Sequence, residues 1–158
     1  MAIFDKDIIN IEGGLTNDRN DGGGLTKYGI SQRSYPHLDI PNLTTQQALN
    51  IYEHDYWDRN QLSLITSQLI ANQLFLLVVN TGAEPAIKIM QSALVRRGMK
   101  VTVDGVIGSV TISAINMCNP FSLSESMRVA ECKHYLDITD NDATQKKFFR
   151  GWIRRALL

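Results

Sequence analysis

Between Ser67 and Asn80 the chain reads SQLIANQLFLLVVN, which wraps apolar side chains around most sides of a single helix. Such a helix is stable only when neighbours cover it, so the remaining sequence must supply a shell of amphipathic segments. Gly82 suits its end. The most apolar stretch, Leu69 to Val79, contains Asn72 and Gln73 and is too short to cross a bilayer. The helix therefore reads as the hub of a packed core.

The shell is visible in the spacing. Phe4, Ile8 and Ile11 form one helical stripe that ends at Gly13-Gly14. Thr44 with Gln47 makes a capping-box pattern ahead of Ala48, Ile51 and Tyr52, followed by Tyr56 and Trp57. After Glu84-Pro85, where proline suits a first helical turn, Ala86, Ile89, Met90, Ala93 and Leu94 make a stripe that stops at Gly98. VTVDGVIG holds a turn signal at Asp104-Gly105. Ser109 caps a short helix through Ile115, Ser122 with Glu125 starts another running to about Leu136, and a polar loop, DITDNDAT, precedes a last helix, QKKFFRGWIRRALL. Strand signals are scarce, and Leu25 to Ile30 is the best hairpin or extended segment. The fold class is thus mainly α with one short β-hairpin. An internal boundary near Gly82 to Pro85 divides residues 1–82 from 83–158, packed as one compact unit.

At 158 residues and 44% hydrophobic composition, a single domain of this size buries about 70% of its unfolded surface and needs no staples. Sixteen basic and sixteen acidic residues cancel, so no global field draws the chain to nucleic acid or to an anionic membrane. From Lys133 onward six basic residues face three acids, a bias that suits an anionic polymer or simply a solvated helix face. Cys118 and Cys132 form no redox or metal spacing and read as reduced thiols. His37, His54 and His134 are scattered, and no metal is expected. The N-terminus lacks the basic and long apolar regions of a signal peptide, so the expectation is synthesis in the cytoplasm and action elsewhere only after export.

The stretch EGGLTNDRNDGGGLTKYGIS, residues 12–31, concentrates carboxylates, glycine and hydroxyls. Glu12, at a helix end beside the core-facing stripe, has the surroundings that raise a carboxyl pKa and let it act as a general acid on a glycosidic oxygen. Asp21 on the following loop suits water activation, and Thr26 suits holding that water; Asp18 is a rival for the second carboxylate. Tyr28, Tyr35, Tyr56 and Trp57 offer flat faces for sugar rings. The bland readings stand beside these: a helix-terminal surface acid, a turn-rich loop, and aromatic residues of the core. A calcium loop fails, because Gly22 and Gly29 fall where ligands belong, and GGGLTKYG lacks the order of a phosphate loop.

Taken in order, EGG at 12–14, ND at 17–18, D-x-G-G-x-T-x-Y-G-I-S from Asp21, IYEHDYWD at 51–58, VNTG at 79–82 and VDGVIGSVT at 103–111 resemble the N-acetylmuramidases of glycoside hydrolase family 108. Phage endolysins and secretion-activator proteins make up that family, which carries a C-terminal predicted peptidoglycan-binding region. The resemblance implies a lysozyme-like helical fold and hydrolysis of the β-1,4 bond between N-acetylmuramic acid and N-acetylglucosamine. The E-x8-D separation with a nearby Thr, similar to that of other phage-type lysozymes, gives Asp21 and Thr26 to water, Tyr28, Tyr35, Trp57 and Asn80 are expected toward substrate, and the family resemblance assigns the catalytic glutamate to Glu12. It also implies no cofactor, peptidoglycan strands as partner, no stable membrane association, a monomer, and a holin or secretion machinery for export to the periplasm or wall. Ile11, where the family often has His, and Leu25, where a polar residue is common, depart from the pattern without removing a catalytic group. Two rivals remain: a peptidoglycan-binding protein that keeps the fold without turnover, and an enzyme acting on chitin-like polymers.

Overall fold

The computed structural model describes residues 1–5, 16–17 and 24–157. Its backbone contacts separate into two units: Phe4–Arg59, and Asn60–Leu158 together with Met1–Ile3. The helix expected from Phe4 to Glu12 lies, beyond its first two residues, outside the described residues.

In the first unit, β1 (Thr16–Asn17), β2 (Leu25–Lys27) and β3 (Ile30–Ser31) form an antiparallel sheet in that order. The expected hairpin is β2–β3, and β1 adds a third strand. Its turn is the dipeptide Tyr28-Gly29, and both residues have positive φ, +53° and +77°. Two positive φ values in a two-residue loop mark the turn whose twist matches that of the flanking strands. Gly29 takes this conformation at no steric cost. It also has no room for a side chain: a Cβ there would lie 2.5 Å from the Tyr52 hydroxyl, which donates to the Tyr28 carbonyl at 3.0 Å. Gly29→Ala is therefore expected to cost about 1–3 kcal/mol, from the left-handed backbone and the displaced hydroxyl. Urea unfolding measures it, and adding Tyr52→Phe should cost less than the sum of the two changes, since it removes the obstructing oxygen.

Lys27 ties the sheet to a short 3-10 turn at Ile40–Asn42 by donating to the Pro41 carbonyl at 2.8 Å. Helix α1 (Thr45–Ile51) opens with the expected capping box: Thr44 Oγ1 accepts from the Gln47 amide, and the Gln47 side chain accepts from the Thr44 amide. It runs on into a π-helical segment, Tyr52–Asp58, closed by the Arg59 amide donating to the His54 carbonyl. Ile30, Ile40, Ala48, Tyr52 and Trp57 are buried here.

The second unit is helical. The hub is α2 (Gln68–Thr81), which buries Ile70, Ala71, Leu74, Phe75, Leu77 and Val78, while Leu69 and Leu76 stay exposed along one edge. It packs on α3 (Ala83–Arg96) and on α5 (Pro120–Asn141), within the unit that begins at Asn60. Its apolar faces are covered by helices that follow it in the chain. Gly82 and Gly98, both at positive φ, lie just past the ends of α2 and α3, as glycine does when it stops a helix.

Both ends of α5 differ from those read in the sequence. Helix α5 begins at Pro120, where the Asn119 side chain accepts from the Phe121 and Ser122 amides, so Asn119-Pro120 rather than Ser122 makes the start. The same helix continues to Asn141 through DIT, because Tyr135 and Thr139 lie on its buried face and packing overrides the weak helix preference of Asp and Thr. Asp142 then caps a 3-10 turn, Ala143–Gln145, that leads into α6 (Lys146–Leu157), packed on α5.

The segment VDGVIG is a loop clasped by one buried side chain. Gln91 Oε1 accepts from the Asp104 and Gly105 amides, and its Nε2 donates to Asp104 Oδ1 and to the Val106 carbonyl. Asp104, Gly105 and Thr111 thus have structural work in turn and core, and α4 (Ser109–Met117) follows, with Gly108 rather than Ser109 at the cap position and its end two residues later than expected. Among the described residues no helix is long and apolar enough to cross a membrane.

Candidate active site

The described part of the site is built from the hairpin and the π-helical segment. Strand register pairs Lys27 with Ile30, and Ile30 is 1% exposed, so that face of the sheet is the core face. Thr26 pairs with Ser31 and lies on the opposite face, half-buried. The Thr26 hydroxyl donates to the Gly24 carbonyl at 3.2 Å. With its proton spent there, the oxygen keeps lone pairs that can accept from a water.

The second wall is the segment YEHDYWD. A π-helix inserts wider turns into a helix and is enriched at functional sites. Here it gathers Tyr52, whose ring lies 5.4 Å from that of Tyr56, and Asp55, whose Oδ2 accepts from the Tyr35 hydroxyl at 2.8 Å. His54 Nδ1 lies 2.8 Å from Asp55 Oδ1, and the Arg59 guanidinium 3.8 Å from the same oxygen. Burial pushes the Asp55 carboxyl up, but hydrogen bonds from His54 and Tyr35 and the charge of Arg59 outweigh it and hold the carboxyl below its ordinary value. Burial also raises the Tyr35 hydroxyl, reinforced by its bond to Asp55, and pushes Tyr52 up to about 12. Both phenols therefore remain protonated donors at neutral pH.

A carboxyl whose folded pKa is lowered stabilises the protein above its unfolded pKa, and that contribution is lost as pH falls through the folded value. Tyr35→Phe removes one of the donors. The stability difference between about pH 6 and about pH 2 should shrink in Tyr35→Phe and shrink further in Asp55→Asn, read by urea unfolding at each pH. An acid limb equal to wild type in both would show that the cluster carries no such weight.

Glu12 and Asp21, with the rival Asp18, lie outside the described residues. Of the remaining sequence-based candidates, the first unit holds Thr26, Tyr28, Tyr35 and Trp57 and the second holds Asn80. Tyr28 occupies the strained turn position, half-buried, with the Lys27 ammonium 5.3 Å from its ring centre. A bulky residue at positive φ is costly and clusters at functional sites. Tyr35 is half-buried and engaged with Asp55. Trp57 requires a correction: it is 1% exposed and meets the Phe4 ring edge-on at 5.8 Å, so it fills the core and offers no face to a sugar. Asn80 sits in the last turn of α2 and accepts from Arg155 at 3.2 Å. The cluster centred on Asp55 was missed, although its signal, a carboxylate among aromatic residues in IYEHDYWD, is in the sequence. What hid it is the π register, which periodicity of 3.6 residues does not reveal. Among the described residues no group of three or more His, Cys, Asp or Glu is placed to hold a metal.

The chain has a lysozyme-like helical fold with one small antiparallel sheet. The fold supports this class: the solved structure titled "Structure of Brucella abortus SagA" superposes with a TM-score of 0.77 at 22% identity, covering 95% of this chain and 85% of that one. No curated protein matches the sequence. Residues 6–82 match the family model described as glycosyl hydrolase 108, and residues 85–157 match the one described as a predicted peptidoglycan domain. Residues 6–82 thus form a glycosyl hydrolase 108 region followed by a predicted peptidoglycan domain, and the chain is a peptidoglycan-related, lysozyme-like protein.

Proposed function

We propose that this protein is an N-acetylmuramidase of lysozyme type, cleaving the β-1,4 bond between N-acetylmuramic acid and N-acetylglucosamine in peptidoglycan. The observation that carries the reading is the glycosyl hydrolase 108 match over residues 6–82, a span that includes Glu12, Asp21 and Thr26. In this reading Glu12 gives its proton to the leaving glycosidic oxygen as the bond to C1 breaks. Asp21 takes a proton from a water that attacks C1 from the opposite face. Thr26 supports the second step: a water donating one hydrogen to its hydroxyl oxygen and the other to a carboxylate keeps a lone pair for the sugar. Attack by water inverts the anomeric centre. Tyr28 and Tyr35 contribute to the substrate-facing wall.

Region 1–82 is the cleaving part in this proposal, and 83–158 holds the wall. The enzyme acts as a monomer without a cofactor, and reaches the periplasm or wall through a holin or a secretion machinery, since its substrate lies outside the cytoplasm. Digestion of purified peptidoglycan tests the reading: soluble fragments should end in reducing N-acetylmuramic acid, first released as the α-anomer by proton NMR. Fragments ending in reducing N-acetylglucosamine would make it a different glycosidase. Retention at the anomeric carbon would turn the second carboxylate into a nucleophile. Wall binding with no fragments would establish the non-catalytic alternative, which the match to a predicted peptidoglycan domain also supports.

A further inference from the structure

A groove of about 370 Å³ lies wholly within the helical unit, where the end of α2 meets α5, the 3-10 turn and α6. Its lining includes Asn80, Thr81, His134, Gln145, Trp152 and Arg155, and no acidic side chain. Arg155 donates one N–H to Asn80 Oδ1 at 3.2 Å, which leaves a guanidinium with four further N–H groups on an exposed residue. The same bond turns the Asn80 amide so that its oxygen is occupied and its NH₂ group is a donor. Trp152 makes a rigid wall: it stacks on Tyr135 at 5.2 Å and 25°, with Phe148 5.8 Å away. Tyr135 is itself anchored through its hydroxyl to the buried Glu131 at 3.1 Å.

The basic character continues past His134. A neighbouring groove of about 320 Å³ shares that histidine and is lined by Arg96, Lys133 and Lys88, the last paired with Glu84 at 2.6 Å, against the lining acid Asp137. A fork of guanidinium donors, flanking amides and an apolar wall match a ligand carrying carboxylates and peptide bonds. A nucleic acid is a poorer fit, since the chain as a whole is neutral and the first groove holds one arginine.

We propose that this groove binds the carboxylate-bearing stem peptide of peptidoglycan, with Arg155 pairing a carboxylate, Asn80 and Gln145 meeting peptide groups, and Trp152 covering the aliphatic side. The proposal rests on the peptidoglycan reading above. It adds a second contact with the wall, centred on Arg155 and Trp152, which take no part in cleavage.

The test uses the full chain, isotope-labelled, titrated with a soluble disaccharide-tetrapeptide, which contains no bond for a muramidase to cut. The Trp152 indole and Asn80 amide signals should shift. Affinity should fall about tenfold in Arg155→Gln, and Arg155→Lys should recover part of it. The disaccharide without its peptide should bind weakly and equally to wild type and Arg155→Gln. Arg155 is exposed, so the fold survives its replacement, and an unchanged amide spectrum elsewhere verifies this. Equal affinity in Arg155→Gln, shifts confined to Phe4–Arg59, or preference for an oligonucleotide would each overturn the groove assignment while leaving cleavage untouched. Conversely, intact groove binding by a chain that releases no fragments would sink the muramidase reading alone.

Discussion

Glu12→Gln is expected to lower the release of soluble peptidoglycan fragments by about 10²–10⁴-fold while leaving wall binding at the wild-type level. Glutamine keeps the size and hydrogen-bonding reach of glutamate but has no acidic proton to give the departing oxygen. A glycosidic oxygen is a poor leaving group unless protonated, so the loss falls on the chemical step and not on recognition. Because a general acid must hold its proton, kcat/KM in wild type should decline as pH rises through the Glu12 pKa, and this limb should vanish from the residual activity of the variant. Fragment release by Glu12→Gln at the wild-type rate would remove Glu12 from the mechanism. A fall in binding equal to the fall in rate would make it a substrate contact instead.

Trp57→Ala should produce the largest change in stability. The side chain is 1% exposed and lies edge-on to Phe4, so truncation forfeits its burial and opens a cavity in the small first unit. Replacements of this kind cost about 3–5 kcal/mol, with the value set by how far the surroundings collapse. Thermal unfolding should begin on the order of 10 °C lower. Trp57→Phe, which retains a ring, should recover much of the loss. A Trp57→Ala protein that unfolds like wild type yet binds muropeptides poorly would make the residue a sugar platform instead. The expected outcome is the reverse: lowered stability, with normal affinity in the folded fraction.

Much of the helical scaffold was legible because it rests on local physical chemistry. Thr44 and Gln47 form a reciprocal cap whatever packs on the helix they start, and glycine at positions 82 and 98 permits backbone angles that end α2 and α3. The apolar face of Ser67–Asn80 announced a buried helix, and the structure buries most of it. The hairpin near Tyr28-Gly29 was visible as a break in helical pattern, although its third strand was not, since pairing joins residues distant in sequence. Where caps were ambiguous, the stronger pair, Asn119-Pro120, displaced Ser122.

The site divides in the same way. The types and order of candidate groups were readable, an acid before two glycines and a hydroxyl before a turn, whereas the carboxylate among tyrosines in IYEHDYWD was passed over. Whether each side chain faces solvent or core was not readable. Tyr35 and Trp57 are both aromatic residues near Asp55, yet one donates to that carboxylate and the other is sealed beside Phe4. That choice depends on the π-helical turn, whose wider spacing rotates successive side chains away from the positions that a regular helix would give them. The groove beside Arg155 is likewise invisible in the chain, because Asn80 and Arg155 lie far apart along it and meet only where α2 and α6 are brought together. By itself the sequence determined many of the helix caps and which residue types are on offer, since a cap is formed by residues a few positions apart. Only the tertiary structure decided which faces are buried and which polar groups converge, because burial and hydrogen bonding between distant segments are properties of packing.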